Sequence, residues 1–353
     1  MTRLNKLVRL MKDQGFAQLI VSDPVAIDYL TDQLLSTDER LMVFLVDGGG
    51  EHRFFLNRLI PKADFNHPVE WYSDTDRPIE LLARHIGPGK IGIDKNWPAH
   101  FLIDLLRQKP ELHLGHASRL IDRLRQRKDE TEIGAMKQAS ALNDIAMELL
   151  ISEVRPGVTE KMLADRLADI YQELDTEGFS FEPIIGFGRN SADPHHRSDD
   201  TVLGDTGALL IDIGCRKDGF CSDMTRTIHL GEPDEEFSRV YEIVRAANLN
   251  AIAAVRPGVT FKSIDAAARR TIEQAGYGEY FIHRTGHSIG REVHEAGDVS
   301  SNNHQELEVG MIFSIEPGIY LPGRFGVRIE DLVVVTKDGA EALNFADKKL
   351  RRI

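Results

Sequence analysis

The chain reads as an α/β (α+β) protein of two parts, residues 1–122 and 123–353, the second made of two similar halves. Three observations predict this. Residues 1–122 alternate short apolar strand patterns with helical ones, the mark of an α/β unit. A charged run, DRLRQRKDE over 122–130, shows no apolar periodicity and is expected to be an exposed connector. Beyond it a six-residue phrase, VRPGVT, occurs at 154–159 and again at 255–260. Each copy follows a long helical pattern that Pro and Gly stop, and each precedes a second helix capped by Thr159 or Thr260. The same words at the same helix junctions imply two α/β halves facing each other, strands central, helices outside and a cleft between.

In chain order, the first helix ends near Gln14-Gly15 and a strand follows over 17–21. Ser22-Asp23-Pro24 supplies a helix cap and a first-turn proline. Strands at 41–46 and 52–56 flank the turn Asp47-Gly48-Gly49-Gly50, which joins two strands and so is no dinucleotide fingerprint. A strand at 90–94 and a helix at 97–108 complete the part, and no catalytic constellation lies in it. The long helix expected over 131–153 has Ile133, Met136, Ala139, Leu142, Ile145 and Leu149 as its apolar positions.

The net charge of −13 argues against nonspecific nucleic-acid binding, which needs basic surface. No apolar run approaches the length of a membrane span, and the amphipathic N-terminal helix lacks a signal peptide's apolar core. The expected location is therefore cytoplasmic. The two cysteines, Cys215 and Cys221, form no disulfide framework and read as reduced strand residues.

Chemistry concentrates first in residues 209–226, LLIDIGCRKDGFCSDMTR. Two apolar runs flank a turn at Asp218-Gly219, a strong hairpin dipeptide. A two-residue loop sets Asp212 opposite Thr225, with Asp223 next along the same face. A four-residue loop sets Asp212 opposite Asp223. Both registers put the two carboxylates on one face, where they repel unless a cation compensates.

Further candidates follow. FIHRTGHSIGREVHE holds His283, His287 and His294; MIFSIEPGIY ends a strand with Glu316; FGVRIEDLVVVT carries Arg328 and Glu330; the loop FGRNSADPHHR carries His195 and His196. His196, His229 and His304 are read as ordinary structural histidines. Four carboxylates on apolar strands, Asp212, Asp223, Glu316 and Glu330, call for about two divalent cations in compensation. Carboxylates with one imidazole suit Mn²⁺, Co²⁺, Fe²⁺ or Zn²⁺ better than Ca²⁺. Two such ions can share a water, lower its pKa and polarise a carbonyl, which is machinery for amide hydrolysis. No Gly-x-Ser-x-Gly elbow and no His-Glu-x-x-His occurs.

These motifs together resemble the pita-bread metallopeptidases, the family of Xaa-Pro dipeptidase (prolidase), aminopeptidase P and methionine aminopeptidase. The resemblance is strong over about 123–345 and extends more weakly to a creatinase-type N-terminal domain. It implies a pita-bread catalytic domain with a pseudo-twofold repeat and five metal ligands: Asp212, Asp223, His287, Glu316 and Glu330. Asp223 and Glu330 would bridge two divalent ions, manganese foremost. Glu316 would also shuttle the proton between attacking water and leaving amine. His195 would lie beside the scissile bond, and His294 would contact the substrate carbonyl. His283 and Arg328 would line the pocket, with Arg328 orienting Glu330 or Asp223. The family's Gly-His-Gly is Gly-His-Ser here, so a positive φ at Ser288 would strain the ligand strand.

The N-terminal domain separates the chain from typical methionine aminopeptidases and points to enzymes that cut before proline. The resemblance implies a homodimer in which that domain helps close the partner's active site. Length and the short spacing from Glu316 to Glu330 favour a dipeptidase acting on small peptides with proline second; aminopeptidase P is the alternative, and a non-peptidase hydrolase or binding protein of the same fold a more distant one. A dipeptidase must hold the proline carboxylate, and the loop residue Arg40, reaching across a dimer, is one candidate for that.

Overall fold

Helix α1 (Arg3–Asp13) leads into strand β1 (Phe16–Val21), the centre of a six-stranded sheet. Thr2 caps α1 by accepting from Asn5 N, and Asp23 caps α2 (Pro24–Thr31) by accepting from Val25 N and Ala26 N. Strands β2 (Val43–Asp47) and β3 (His52–Asn57) form a hairpin. Then come β4 (Val69–Tyr72), α3 (Pro78–His85), β5 (Lys90–Ile93), α4 (Ala99–Gln108), β6 (His113–His116) and α5 (Ser118–Gln126). The sheet order is β4-β3-β2-β1-β5-β6, mixed in direction. Side chains alternate between two apolar layers. Phe44, Val46, Phe54 and Leu56 face one; Val43, Leu45 and Phe55 face the other. In this computed structural model, residues 1–61 and 66–353 are described.

The chain divides into two compact units, Met1–Arg125 and Gln126–Ile353. The charged run between 122 and 130 is not the exposed connector its composition suggests. Helix α5 runs on to Gln126, and Arg125, Gln126 and Lys128 are buried. Leu120, Ile121 and Leu124, just upstream and inside the run, supply the helical apolar spacing. The Lys128 ammonium is neutralised by Glu295 at 2.9 Å.

The second unit opens with α6 (Glu130–Ser152), fixed by a capping box of Asp129 and Glu132. Met136 and Ala139 are buried as expected, but Ile145 and Leu149 are exposed by 48% and 38%. The buried stripe runs instead through Asn143, Ala146, Met147 and Leu150. Asn143 is admitted because its amide is satisfied: Nδ2 donates to Ile213 O at 2.9 Å, and Oδ1 accepts from Tyr171 OH at 2.6 Å.

Helix α7 (Glu160–Glu173) and strands β7 (Ile184–Phe187), β8 (Gly207–Ile213), β9 (Arg216–Lys217), β10 (Phe220–Cys221) and β11 (Met224–Leu230) complete the first half. Helices α8 (Glu235–Ala254) and α9 (Phe261–Gln274) open the second. Strands β12 (Gly286–Ser288), β13 (Glu295–Val299), β14 (Ile312–Ile315), β15 (Gly318–Leu321), β16 (Phe325–Arg328), β17 (Asp331–Val335) and β18 (Ala340–Ala342) follow. The main sheets are β11-β8-β7 and β13-β12-β14-β17-β18.

The repeated phrase does the same work in both halves. Gly157 and Gly258 take φ of +90° and +83°, as a left-handed stop requires. Gly157 N donates to Leu203 O and Leu203 N to Val158 O; Gly258 N donates to Leu307 O and Leu307 N to Val259 O. The halves also share a buried helix asparagine. Asn248 Nδ2 donates to Ile315 O at 2.9 Å, matching Asn143 on Ile213 O. Each amide pins the carbonyl beside a candidate ligand, Asp212 in one half and Glu316 in the other.

Candidate metal centre

The hairpin of β8 and β11 closes through the two-residue tip. Asp218 and Gly219 take φ of +50° and +74°, the geometry of a primed turn. Asp212 lies opposite Thr225 and Ile213 opposite Met224, so the four-residue register is excluded. The neighbouring cysteines are free and buried in separate apolar clusters, Cys215 in one and Cys221 in another. Burial pushes their thiols up to about 11 and about 12.

The nine side chains that the resemblance assigns to the site line one cavity of about 520 Å³: Asp212, Asp223, His287, Glu316 and Glu330, with His195, His283, His294 and Arg328. Strand β12 brings His287, held by its amide on Ser314 Oγ at 3.0 Å. Glu316 follows β14, and its amide donates to Thr285 O at 2.8 Å. Glu330 sits between β16 and β17, with its amide on Thr225 O at 3.1 Å. His287 Nδ1 faces Ser288 O at 3.3 Å, which leaves Nε2 as the ring nitrogen turned toward the carboxylates. That Nε2 lies 3.5 Å from both Asp223 Oδ2 and Glu316 Oε1. Ligand atoms of Asp223, His287 and Glu330 all fall within 4.8 Å of one another.

Two oxygens test whether a cation belongs here. Asp212 Oδ1 and Glu330 Oε1 are buried and have no hydrogen-bond partner among the described residues. Each lone pair would be costly to strand without a positive partner. Burial first, then neighbouring carboxylates, drive Asp223 and Glu330 well above the ordinary carboxylate range. Burial also raises Asp212, against the pull of Arg328. For Glu316 burial is outweighed by His287, His283 and Arg328, which hold it below its usual value. Crowded carboxylates of this kind, with two orphaned oxygens and one free imidazole nitrogen, fit divalent cations.

Arg328 differs from expectation. It does not bond to the side chain of Glu330 or Asp223. Its Nη2 donates to Asp212 Oδ2 at 2.6 Å, Nε to Thr225 Oγ1 at 3.0 Å and Nη1 to Tyr320 OH at 2.8 Å. Thr225 passes the ordering on, donating to Glu330 Oε2 at 2.7 Å. Tyr320 in turn meets His283 Nε2 at 2.8 Å, while His283 Nδ1 meets Arg284 O at 2.7 Å. A carbonyl can only accept, so His283 is protonated on Nδ1 and the Tyr320 hydroxyl donates to Nε2. Sequence reasoning assigned no role to Thr225 or Tyr320. The signals were present: Thr225 faces Asp212 in the two-residue register, and Tyr320 closes the Glu316 motif.

His195 is exposed, on the loop after a 3₁₀ turn at Gly188–Ala192. The loop is anchored by Glu160, a fully buried carboxylate with four donors. Oε1 accepts from Phe187 N at 2.7 Å and Asn190 Nδ2 at 2.9 Å; Oε2 accepts from His196 Nε2 at 2.6 Å and Asp199 N at 3.2 Å. Glu160, His196 and Asp199 also lie close enough to suit a metal. Glu160's oxygens are already filled by donors, so the group is a hydrogen-bond hub. His294 packs edge-on against His287, ring centroids 4.3 Å apart. Burial first, then His287 and Arg284, bring it down to about 4, so it is neutral near pH 7.

Ser288 has no positive φ, so the feared strain is absent. Its bulk is accommodated across the strand pair: Gly297, at φ +112°, would place a Cβ 2.6 Å from Ser288 Oγ and 2.4 Å from Gln126 Nε2.

Comparison with known proteins agrees with this geometry. The model of metallopeptidase family M24 matches residues 134–337, and that of the creatinase/prolidase N-terminal domain matches residues 3–127. An uncharacterized peptidase of Staphylococcus aureus is 34% identical over 358 residues, covering 99% of this chain and 100% of the relative. A dipeptidase from Pyrococcus horikoshii superposes with TM-score 0.95 at 36% identity, over 100% of both chains. A prolidase from Thermococcus sibiricus does so with TM-score 0.94 at 36% identity, over 99% of this chain and 98% of the other. The carboxylate-rich cavity thus lies in a chain that belongs to metallopeptidase family M24, and the protein is a metallopeptidase.

Proposed function

We propose that the protein is an Xaa-Pro dipeptidase that uses two divalent ions, manganese foremost, held by Asp212, Asp223, His287, Glu316 and Glu330. The observation carrying this reading is the pair of orphaned oxygens on Asp212 and Glu330 beside the free Nε2 of His287. The whole-chain likeness to a dipeptidase and a prolidase, N-terminal domain included, supports the substrate class. When bound, the ions supply Lewis acidity toward the scissile carbonyl and an activated water.

The chain's own residues do the rest. Glu316 accepts from Ser314 Oγ through Oε1 at 3.1 Å and keeps Oε2 to take the water's proton and give it to the leaving proline nitrogen. Neutral His294 donates a hydrogen bond to the carbonyl oxygen as negative charge develops there. His195 orients the peptide beside the bond that breaks. Phe181, Ile184, Pro194 and Val293 give the cavity apolar walls suited to a proline ring.

In the same reading residues 1–122 dimerise and help close the partner's substrate entrance, residues 123–353 catalyse, and the enzyme works in the cytoplasm as a homodimer. Sedimentation of the purified protein tests the dimer.

The decisive assay compares Xaa-Pro dipeptides with Xaa-Pro-Yaa tripeptides in added Mn²⁺ or Co²⁺. Dipeptide cleavage is expected. Cleavage of tripeptides alone would replace the reading with an aminopeptidase P activity. Glu316→Gln and His287→Ala should abolish turnover while leaving the fold intact; undiminished turnover in either would refute these roles.

A further inference from the structure

A dipeptidase must recognise the free carboxylate one residue beyond the scissile bond, inside a cavity already crowded with acidic side chains. Two arginines, Arg284 and Arg328, are the only Arg or Lys side chains lining that cavity among the described residues. Arg328 is buried and its three nitrogens are spent on Asp212, Tyr320 and Thr225. Arg40, the candidate read from the sequence, forks onto Asp74 through Nε at 2.9 Å and Nη2 at 3.1 Å. Arg284 is exposed, and its guanidinium has no hydrogen-bond or ion-pair partner among the described residues.

The backbone at Arg284 is nonetheless firmly placed. Its carbonyl accepts from His283 Nδ1 at 2.7 Å. The next residue, Thr285, donates through Oγ1 to buried Asp265 at 2.7 Å and accepts from the Glu316 amide at 2.8 Å. Asp265 itself is held by Arg269. Arg284 therefore springs from a rigid strand entrance three residues before His287. It lines the same cavity as His287 and His294. A free guanidinium on a fixed root, beside the reaction centre, is the side chain suited to a carboxylate.

We propose that Arg284 receives the C-terminal carboxylate of the substrate and thereby sets the enzyme's preference for dipeptides. The inference rests on the dipeptidase reading above and adds the residue that selects for chain length. Arg284 also offsets the repulsion between that carboxylate and the acidic cavity wall.

The test uses the full-length enzyme loaded with Mn²⁺ and two probes, Ala-Pro and its amide Ala-Pro-NH₂, with Arg284→Met and Arg284→Lys. For Ala-Pro, Arg284→Met should raise KM roughly 10- to 100-fold with kcat nearly unchanged, the loss expected for one charge-assisted hydrogen-bonded pair. Kinetics on the amide should move far less, so the acid-over-amide preference collapses. Arg284→Lys should restore part of it. Product inhibition by free L-proline should weaken in parallel, while inhibition by prolinamide should not. If Arg284→Met keeps the wild-type acid-over-amide ratio, Arg284 is not the receptor although the dipeptidase reading stands. If wild-type enzyme cleaves tripeptides but not Ala-Pro, the dipeptidase reading falls and this assignment with it.

Discussion

Arg328 donates to Asp212 Oδ2 at 2.6 Å and leaves Asp212 Oδ1 without a donor among the described residues. One half of this carboxylate is thus committed to the protein and the other is open. Arg328→Met removes the buried partner and strands the charge. At pH 8 the metal-depleted variant should lose about 3–5 kcal/mol of unfolding free energy, measured in urea. Arg328→Lys should recover part of it. A loss under about 1 kcal/mol, the scale of an exposed pair, would show that the pair does not matter to the fold.

Glu160 acts at a distance from the cavity. Glu160→Gln keeps two acceptor sites on one oxygen but cannot satisfy four donors. Stability should fall by about 1.5–3 kcal/mol, the scale of hydrogen bonds to a charged group. Turnover should drop as the His195 loop loosens, while metal content by elemental analysis stays the same. Unchanged turnover in a folded Glu160→Gln variant would show that the loop does not depend on this anchor.

His283 predicts a pH dependence of stability. Burial, aided by Arg328 and Arg269 and opposed by Glu316, lowers its proton affinity. In the unfolded chain histidine binds a proton near pH 6.5. Below that value the unfolded state holds more protons than the folded one, so stability rises with pH there. The contribution is complete above about 6.5 and is lost as pH falls through the folded value. His283→Gln should flatten the fall in Tm between about pH 6.5 and 5. A slope identical to wild type would place the acid sensitivity elsewhere.

The cysteines offer a probe of opening. With their thiols raised by burial to about 11 and about 12, neither should react with a thiol-specific reagent at pH 7.5 in the native state. Both should react once the protein unfolds. Fast labelling of either native thiol would contradict their burial.

Local chemistry was legible in the sequence where it is written in adjacent residues. The Asp218-Gly219 turn, the Asp23 and Thr159 caps and the twin phrase need only their neighbours to be read. Whatever depends on a distant partner was harder. Arg328 was expected on Glu330 or Asp223 and is found on Asp212, because β16 meets β11 at Thr225 and Thr227 and no spacing encodes that meeting. The apolar face of α6 slipped to include Asn143, since only the fold reveals the Ile213 carbonyl that satisfies it. Lys128 looked like solvent-facing charge until Glu295, far along the chain, supplied its counter-ion. The hairpin register was narrowed to two choices and settled by the positive φ at the tip.

The candidate ligands are dealt unevenly across the repeat. Asp212 and Asp223 come from the first half; His287, Glu316 and Glu330 come from the second. Thr225 and Glu330 touch where the halves meet. Any ion held by this set is therefore held across the joint, and neither half can retain it alone. Metal uptake becomes a report on assembly: a chain with one half folded offers an incomplete ligand set, and only the docked pair gains the binding free energy.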